Sequence, residues 1–301
     1  MIAKRIAAVG TALVLVLGAY AIREGLIEGD GDEPADEPAE ASTLVCPPEL
    51  ADICRSIDLP DRLDVRIEES GRTLDVLAGA DAEPVVWLTY EPFPAAVDQL
   101  RRSQGRDPLE LAVEPMASSP LALVARSDDL GCGDPVDWRC LGDGGASIGF
   151  AGDPDSGIGL LGATAAANGY ADRAAAPFGD ALFEVWLRGV LTSVNRSQLS
   201  TGTAIATIQV RPSAMDVAVG AEVELSEDRR DRFQVLYAGS MGDADVILAV
   251  PSGTSAPPGL GDALSGALVD AGWSSPTRSP SSAGSGDAAA LLATRDFWRN
   301  L

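Results

Sequence analysis

Short apolar runs alternate with helix-length stretches along most of this chain, and this alternation limits the fold more than any single motif. Residues 43–45 form the first apolar run, and Pro47-Pro48 then open a stretch whose apolar residues have helical spacing. The later apolar runs are at 63–67, 84–88, 121–125, 147–151, 215–219 and 246–250. Strands that alternate with helices form parallel sheets covered by helices. The pattern therefore predicts an α/β fold of mainly parallel sheets flanked by helices.

The stretches between these runs carry their apolar residues on one face. In one of them Phe183, Trp186 and Leu187 lie at helical spacing, which is typical of core packing. Helices are predicted near 50–57, 72–78, 95–102, 157–169, 183–194, 204–208, 260–271 and 288–298, and a Ser-, Pro- and Gly-rich loop at 274–286. With 301 residues and 46% hydrophobic content, the chain can bury the core of one large domain or of two lobes.

The N-terminus is predicted to insert into a membrane. Lys4-Arg5 precede an apolar stretch at 6–22, whose length is at the lower limit for a bilayer span. We favour an uncleaved anchor within residues 1–27, while Ala19-Tyr20-Ala21 offers a signal-peptide cleavage site and leaves secretion open. Residues 28–42 are rich in Asp, Glu and Pro, which predicts a disordered acidic tether. The folded part is then extracytoplasmic and tethered to the cell membrane, or secreted if the chain is cleaved after Ala21.

Charge and composition exclude several classes of function. The formal net charge of -23 opposes binding to nucleic acid, because phosphate contacts are made by clustered Lys and Arg. The chain has no histidine, which removes Ser-His-Asp triads, His-containing zinc sites and imidazole acid–base catalysis. No spacing singles out a pair of catalytic carboxylates. We therefore expect no catalytic residues, no cofactor and no metal, and a hydrolase ranks last among the functions considered.

The four cysteines form two local pairs, Cys46 with Cys54 and Cys132 with Cys140. Export permits disulfides, and four cysteines allow three connectivities. We expect the local connectivity, because each pair closes a short loop and the other pairings join regions placed in different lobes. A metal site made by all four cysteines is the weaker alternative, since neither pair has the C-x2-C spacing of such sites.

Turns rich in small and hydroxyl residues recur at predicted helix starts. Free backbone N–H groups and the helix dipole make such a start mildly positive, so it can hold an anion or a polar small molecule. The alternative is that Ser, Thr and Asp in these turns only cap helices. In the same alternative, Arg72 is an ordinary surface residue. The candidate ligand-binding residues are Ser70, Gly71, Arg72, Thr73, Ser118, Ser119, Asp153, Ser156 and Gly157.

The order of these turns resembles the type 2 periplasmic or extracellular solute-binding proteins, particularly the molybdate-binding-like group and its membrane-anchored actinobacterial relatives. The resemblance covers most of residues 43–272. It is carried by the motifs at 69–74 with 79–80 and 85–88, at 118–124, at 148–154 with Ser156-Gly157, and at 214–219. The chain departs from that group at Cys46-Pro47-Pro48, where relatives often have a small polar residue, and in lacking a tyrosine near 220–224. The resemblance therefore implies a family of proteins and does not name the ligand.

The resemblance implies two α/β lobes joined by two crossings, with the ligand held in the cleft between them. Residues 43–117 would form the first part of lobe 1 and 118–222 would form lobe 2. Residues 223–301 would form the second crossing and the return to lobe 1 with C-terminal helices. The turn at 70–73 would bind from the first lobe, Ser118 and Ser119 from the hinge, and Asp153 with Ser156-Gly157 from the second lobe. The lobes would close around the ligand.

The function implied is capture of a small polar or oxyanion ligand, by a monomer, for an ABC-type transporter permease or a surface protein partner. The alternative is a cell-surface protein-interaction module that keeps the same fold and binds no small molecule. A fold by itself does not decide between the two.

Overall fold

The computed structural model describes residues 39–40, 43–57, 63–126, 130–170, 178–199, 202–276 and 285–301. The predicted membrane segment, the tether residues 28–38 and 41–42, and the part of the Ser-rich loop at 277–284 lie outside the described residues. The two described tether residues, Ala39–Glu40, form a short strand, where the sequence predicts disorder. Within the described ranges, no helix has the length and apolar character needed to cross a bilayer.

The strands and helices follow the predicted alternation closely. The strands are β1 (Ala39–Glu40), β2 (Thr43–Cys46), β3 (Asp64–Ile67), β4 (Val86–Tyr90), β5 (Ala112–Ala125), β6 (Ile148–Gly149), β7 (Val217–Ala221), β8 (Gln234–Leu236), β9 (Asp243–Val250) and β10 (Thr254–Ser255). The helices are α1 (Ala51–Ser56), α2 (Ser70–Ala78), α3 (Phe93–Ser103), α4 (Trp138–Asp143), α5 (Gly157–Tyr170), α6 (Ala181–Thr192), α7 (Ala204–Val210), α8 (Glu227–Arg230), α9 (Leu260–Asp270) and α10 (Ser285–Arg299). Single 3-10 turns lie at Pro48–Leu50, Arg196–Leu199, Pro212–Ala214 and Glu222–Glu224.

The first part of the sheet has a parallel centre. Strand β2 pairs in parallel with β3 on one side and with β4 on the other, and β9 joins β4 in the antiparallel direction. Residues of β2 and β4 are almost entirely buried, because helices cover the sheet. This arrangement makes the first lobe.

Strand β5 is the crossing between the two lobes. Its first part, from Ala112 to Pro120, pairs with β9, and its second part, from Leu121 to Ala125, pairs with β7 and β8. The sequence predicts a strand only at 121–125, because Glu114 and Pro115 interrupt the apolar pattern of the first part. A single long strand therefore belongs to both lobes.

The second lobe is built on the far part of β5. Strand β7 runs antiparallel to β5, the short β6 pairs in parallel with β7, and β8 pairs with β5 on its other side. Strand β8 pairs within the second lobe, whereas the next strand, β9, pairs within the first lobe. The chain therefore crosses back to the first lobe at 237–242, after the lobe boundary expected at 222.

Helix α5 packs in the middle of the second lobe. Most of its residues are buried, and a side chain at Gly162 would meet Val219 Cγ1 at 2.6 Å, so a glycine allows the helix to lie close to β7. The predicted core role of Phe183 and Trp186 is confirmed, since they are 0% and 8% exposed.

Both predicted disulfides are present, Cys46–Cys54 and Cys132–Cys140. The four-cysteine metal site is therefore wrong, because all four thiols are used in disulfides. The Cys46–Cys54 bridge joins the end of β2 to α1 and closes a loop that contains Pro48 and Glu49.

We expect removal of either bridge to lower the free energy of unfolding by roughly 2–3 kcal/mol, because each closes a loop of sequence separation 8. The measurement is urea unfolding of Cys46→Ala with Cys54→Ala, beside Cys132→Ala with Cys140→Ala. A loss below about 1 kcal/mol in both double variants would contradict it.

Candidate functional site

A cavity of about 790 Å³ lies where the two lobes face each other. The first lobe contributes Pro48 and Glu49 from the turn after β2, and Glu69 from the residue before α2. The second lobe contributes the remaining lining residues, which are Ala151, Gly152, Asp153, Ser156, Leu199, Gly202, Thr203, Ala206 and Glu224. Any movement of one lobe against the other therefore changes the shape of this cavity.

Four carboxylate side chains line the cavity: Glu49, Glu69, Asp153 and Glu224. Burial raises the pKa of Glu69 to about 8, with the charges of Glu49 and Asp153 adding to the shift. Burial likewise raises the pKa of Glu224 to about 8, opposed by a hydrogen bond from Thr203. One oxygen of each, Oε2, is buried and makes no hydrogen bond within the described structure. The cavity wall is acidic, and part of its hydrogen-bonding capacity is unused.

Glu49 occupies the helix start that was expected to receive a ligand. The backbone N–H of Ile158, in the first turn of α5, donates to Glu49 Oε1 at 3.0 Å. Burial raises the pKa of Glu49, and the hydrogen bond from Ile158 opposes that rise. A carboxylate from the first lobe thus takes the position of an anion at a helix N-terminus of the second lobe.

The turn at Ser70–Thr73 starts α2, as predicted, but it lies beside the cavity rather than in its lining. The Ser70 hydroxyl accepts a hydrogen bond from Thr89 Oγ1 at 3.3 Å and is completely buried. The Gly71 N–H donates to the Asp155 carbonyl at 2.8 Å, and Thr73 Oγ1 donates to Glu68 Oε2 at 2.9 Å. The structure gives these three residues intramolecular partners, and Gly71 makes a contact between the lobes.

Arg72, the fourth residue of this turn, forms an ion pair with Asp153 across the lobes, with 2.7 Å between Arg72 Nη2 and Asp153 Oδ2. The Arg72 side chain is 59% exposed. The second oxygen of Asp153 accepts from the Asp155 N–H at 3.0 Å, so Asp153 also shapes its own turn. Arg72 therefore offsets part of the negative charge that Asp153 brings to the cavity edge.

Ser118 and Ser119 lie at the crossing in β5, as predicted for hinge residues, and outside the cavity lining. Ser118 Oγ donates to Asp245 Oδ1 at 2.7 Å. Ser119 Oγ accepts from the Val223 N–H at 3.2 Å. Each hydroxyl therefore ties the crossing strand to a neighbouring segment.

Ser156 and Gly157 lie at the start of α5, where the structure brings the lobes together. Ser156 lines the cavity and its hydroxyl accepts from the Gly159 N–H at 3.2 Å. A Cβ atom at Gly157 would lie 2.7 Å from Tyr90 Cε2 and 2.8 Å from Ser70 Oγ. Gly157 therefore lets α5 lie directly on the first lobe, and of the nine candidates only Asp153 and Ser156 line the cavity.

A buried ion-pair network holds the C-terminal helix to this junction. Asp155 Oδ1 accepts from Arg295 Nε at 3.0 Å and from Arg299 Nε at 2.9 Å. Arg299 also donates to Asp75 Oδ2 at 2.8 Å, and Arg295 contacts the same carboxylate. Arg295 is 1% exposed and Asp155 is 7% exposed. The network connects α10 to α2 of the first lobe and to the turn before α5.

Sequence reasoning missed most of the cavity wall. Glu49, Glu69, Thr203 and Glu224 are distant in the sequence, and no spacing relates them. The one local signal is Thr203, whose hydroxyl caps α7 by accepting from the Ala206 N–H. The charged members look like surface residues until the fold buries them.

Comparison with known proteins identifies the fold. No protein-family model and no curated protein matches the sequence. Iron-bound HitA from Pseudomonas aeruginosa aligns with a TM-score of 0.53 and 13% identity, over 87% of this chain and 99% of that chain. The periplasmic binding protein AfuA from Actinobacillus pleuropneumoniae aligns with a TM-score of 0.52 and 12% identity, over 87% and 97%. The sulfate-binding protein SubI from Mycobacterium tuberculosis aligns with a TM-score of 0.47 and 15% identity, over 84% and 90%.

The predicted fold class is confirmed: the chain has the two-lobed α/β fold of type 2 periplasmic binding proteins. Sequence identities of 12% and 13% show a shared fold, but they do not identify a closer group of relatives or a ligand. The resemblance to the molybdate-binding-like group therefore stays a prediction.

Proposed function

We propose that this protein is an extracytoplasmic solute-binding protein that captures a small polar ligand between its two lobes. The observation that carries the proposal is the cavity itself, which both lobes line. Its volume of about 790 Å³ is within the range of small-molecule sites, roughly 300–1,000 Å³. Buried oxygens without partners, on Glu69 and Glu224, are groups that a ligand can satisfy.

The fold and the disulfides support this role and location. HitA was solved bound to iron and AfuA bound to fructose-6-phosphate, so the same fold holds chemically different ligands. Two disulfides are typical of proteins outside the reducing cytosol. We propose that a transporter permease or a surface partner receives the ligand and that the N-terminal segment tethers the protein to the membrane. Absence of an enzymatic activity stays a prediction.

A second function, a protein-interaction module without a small ligand, is favoured by one group of contacts. Glu49 fills the start of α5, and the Arg72–Asp153 and Gly71–Asp155 contacts join the lobes directly. The lobes are therefore held together by the chain's own residues.

Ligand screening by thermal unfolding separates the two functions. A ligand present at 100 times its Kd stabilises the folded state by about 2.7 kcal/mol, which raises Tm measurably. We expect at least one compound from a panel of amino acids, amines, sugars, sugar phosphates and oxyanions to raise the Tm of the wild-type chain.

Two matched variants test whether a ligand that raises Tm binds in the cavity. Ala206→Phe adds a ring to the cavity wall at a residue with an exposed side chain and should abolish the shift. Val185→Phe adds a comparable ring on α6, where the side chain is 69% exposed, and should keep the shift. If no compound in the panel shifts the Tm of the wild type, the interaction module becomes the better proposal.

A further inference from the structure

We propose that the cavity between the lobes binds an organic cation, a small molecule that carries an ammonium or guanidinium group, and not an oxyanion. This inference rests on the proposed function and names the chemical class of its ligand. It reverses the charge expected from the helix-start turns alone. Three features of the cavity lead to it.

The first feature is the charge of the wall. Glu49, Glu69, Asp153 and Glu224 line the cavity, and among its described lining residues there is no Lys or Arg. The cation whose charge acts on Glu69, Arg72, already pairs with Asp153. When these carboxyls are ionised, the wall repels an anion and attracts a cation.

The second feature is the set of buried oxygens that lack a partner. Glu69 Oε2, Glu224 Oε2 and the Tyr90 hydroxyl are buried and make no hydrogen bond in the described structure. Tyr90 does not line the cavity, but it is 0% exposed and the charges of Glu49, Glu69 and Glu224 all act on its hydroxyl. Buried acceptors without donors are unfavourable, and an ammonium or guanidinium group supplies several donors at once.

The third feature is the occupied helix start. An oxyanion would bind most readily to the free N–H groups at the beginning of α5. Ile158 N–H is already used by Glu49 Oε1 at 3.0 Å, so an incoming anion must displace a carboxylate of the same charge. A cation displaces no carboxylate there, because Glu49 already lies on the cavity wall.

The described carboxylates do not form a metal-binding cluster. Among the described residues, no group of three or more Asp, Glu or Cys side chains is arranged to hold a metal ion. A cavity of about 790 Å³ also suits a molecule with several heavy atoms. We therefore assign an organic cation, and metal binding is an outcome of the test.

Binding should depend on pH through these same groups. The titratable and charged groups that face the cavity or act on it are Glu49, Glu69, Arg72, Tyr90, Asp153, Asp155 and Glu224. The raised pKa values of Glu69 and Glu224, each about 8, mean that these carboxyls are mostly protonated at pH 6. A cation favours their ionised form, so its affinity rises with pH and its binding releases protons.

The experiment is isothermal titration of the full chain, purified in mild detergent, with agmatine, putrescine, spermidine and arginine at pH 6, 7.5 and 9. Sulfate, phosphate, fructose-6-phosphate and iron(III) citrate form the opposing arm. We expect one of the cationic probes to bind with an affinity that rises at least tenfold from pH 6 to pH 9. We expect no binding in the opposing arm.

Matched variants test the site. Glu69→Gln and Glu224→Gln should each weaken binding of the cationic probe at pH 9 by tenfold or more. Glu227→Gln removes an exposed carboxylate on α8 and should leave the affinity unchanged. The melting temperature of each variant, measured in the same buffer, verifies that the variant is folded.

The outcomes separate this inference from the function on which it rests. Binding of an anion or of iron, with no binding of the cationic probes, overturns the organic cation and leaves the solute-binding function in place. Cation binding that persists in both Gln variants places the ligand elsewhere and also overturns the inference. No binding in either arm counts against the inference and the solute-binding function together.

Discussion

Asp155→Ala is expected to lower the free energy of unfolding by about 3–5 kcal/mol. Arg295 is 1% exposed, and its Nε donates to Asp155 Oδ1 at 3.0 Å, so the substitution leaves a buried guanidinium without this partner. Arg299 loses the same acceptor, and its pKa, raised by hydrogen bonds to Asp155 and Asp75 against the effect of burial, reflects that dependence. Asp75 is half-exposed and compensates only in part. The measurement is urea unfolding followed by circular dichroism.

Arg72→Ala is the matched control, because it removes an ion pair that also joins the two lobes. Arg72 Nη2 lies 2.7 Å from Asp153 Oδ2, yet the Arg72 side chain is 59% exposed. Exposed ion pairs contribute about 0–1 kcal/mol, so the control should be nearly as stable as wild type. If Arg72→Ala and Asp155→Ala lower the free energy of unfolding equally, burial does not explain the stabilising effect of the Asp155 network.

The two ion pairs divide the junction into an exposed edge and a buried centre. At the centre, Gly71 and Gly157 allow the backbones of the lobes to approach. A Cβ atom on Gly71 would lie 2.9 Å from Asp155 Cα, and one on Gly157 would lie 2.7 Å from Tyr90 Cε2. The small turn residues singled out in the sequence thus bring the lobes into contact, and the ligand cavity lies beside that contact.

The sequence predicts the elements of the fold well, because apolar periodicity reports directly on burial. The runs at 43–45 and 246–250 lie within strands of the sheet, and the run at 63–67 begins one residue before β3. The first part of β5 escapes prediction because Glu114 and Pro115 belong to the half-exposed end of the strand, where the apolar pattern is weak. Strand β8 is missed because it is short and only partly buried.

The candidate site is predicted less well, because its chemistry depends on contacts between distant segments. Ser70 looks available for a ligand in the sequence, but Gly157 of the other lobe covers its hydroxyl. Glu49 looks like an ordinary acidic residue in the first turn of a short helix, and only the fold places it on the N–H of Ile158. Local patterns identify a helix start without showing which group of the same chain already occupies it.

The acidic cavity has a consequence for stability that does not require a ligand. The pKa of Glu224 is raised from an ordinary value near 4.5 to about 8, chiefly by burial, so the folded state holds a proton that the unfolded state releases above about pH 4.5. Stability from this group is therefore greatest below pH 4.5 and is lost as the pH rises to about 8. Glu69 acts in the same direction.

Glu224→Gln is accordingly expected to stabilise the protein at pH 9, by roughly 3–4 kcal/mol, and to have little effect at pH 4.5. A shift of this size corresponds to at most about 5 kcal/mol, and the partial exposure of Glu224 reduces it. The variant keeps the shape of the side chain, and removing its charge also relieves the repulsion with Glu49 that helps raise the pKa of Glu224. Urea unfolding of wild type and variant from pH 4.5 to pH 9 measures the difference. Glu227→Gln, at an exposed position on α8, should show no such pH-dependent gain. If the two variants follow the same pH profile, Glu224 is ionised in the folded state at little cost, and the carboxylate is better hydrated than its burial implies.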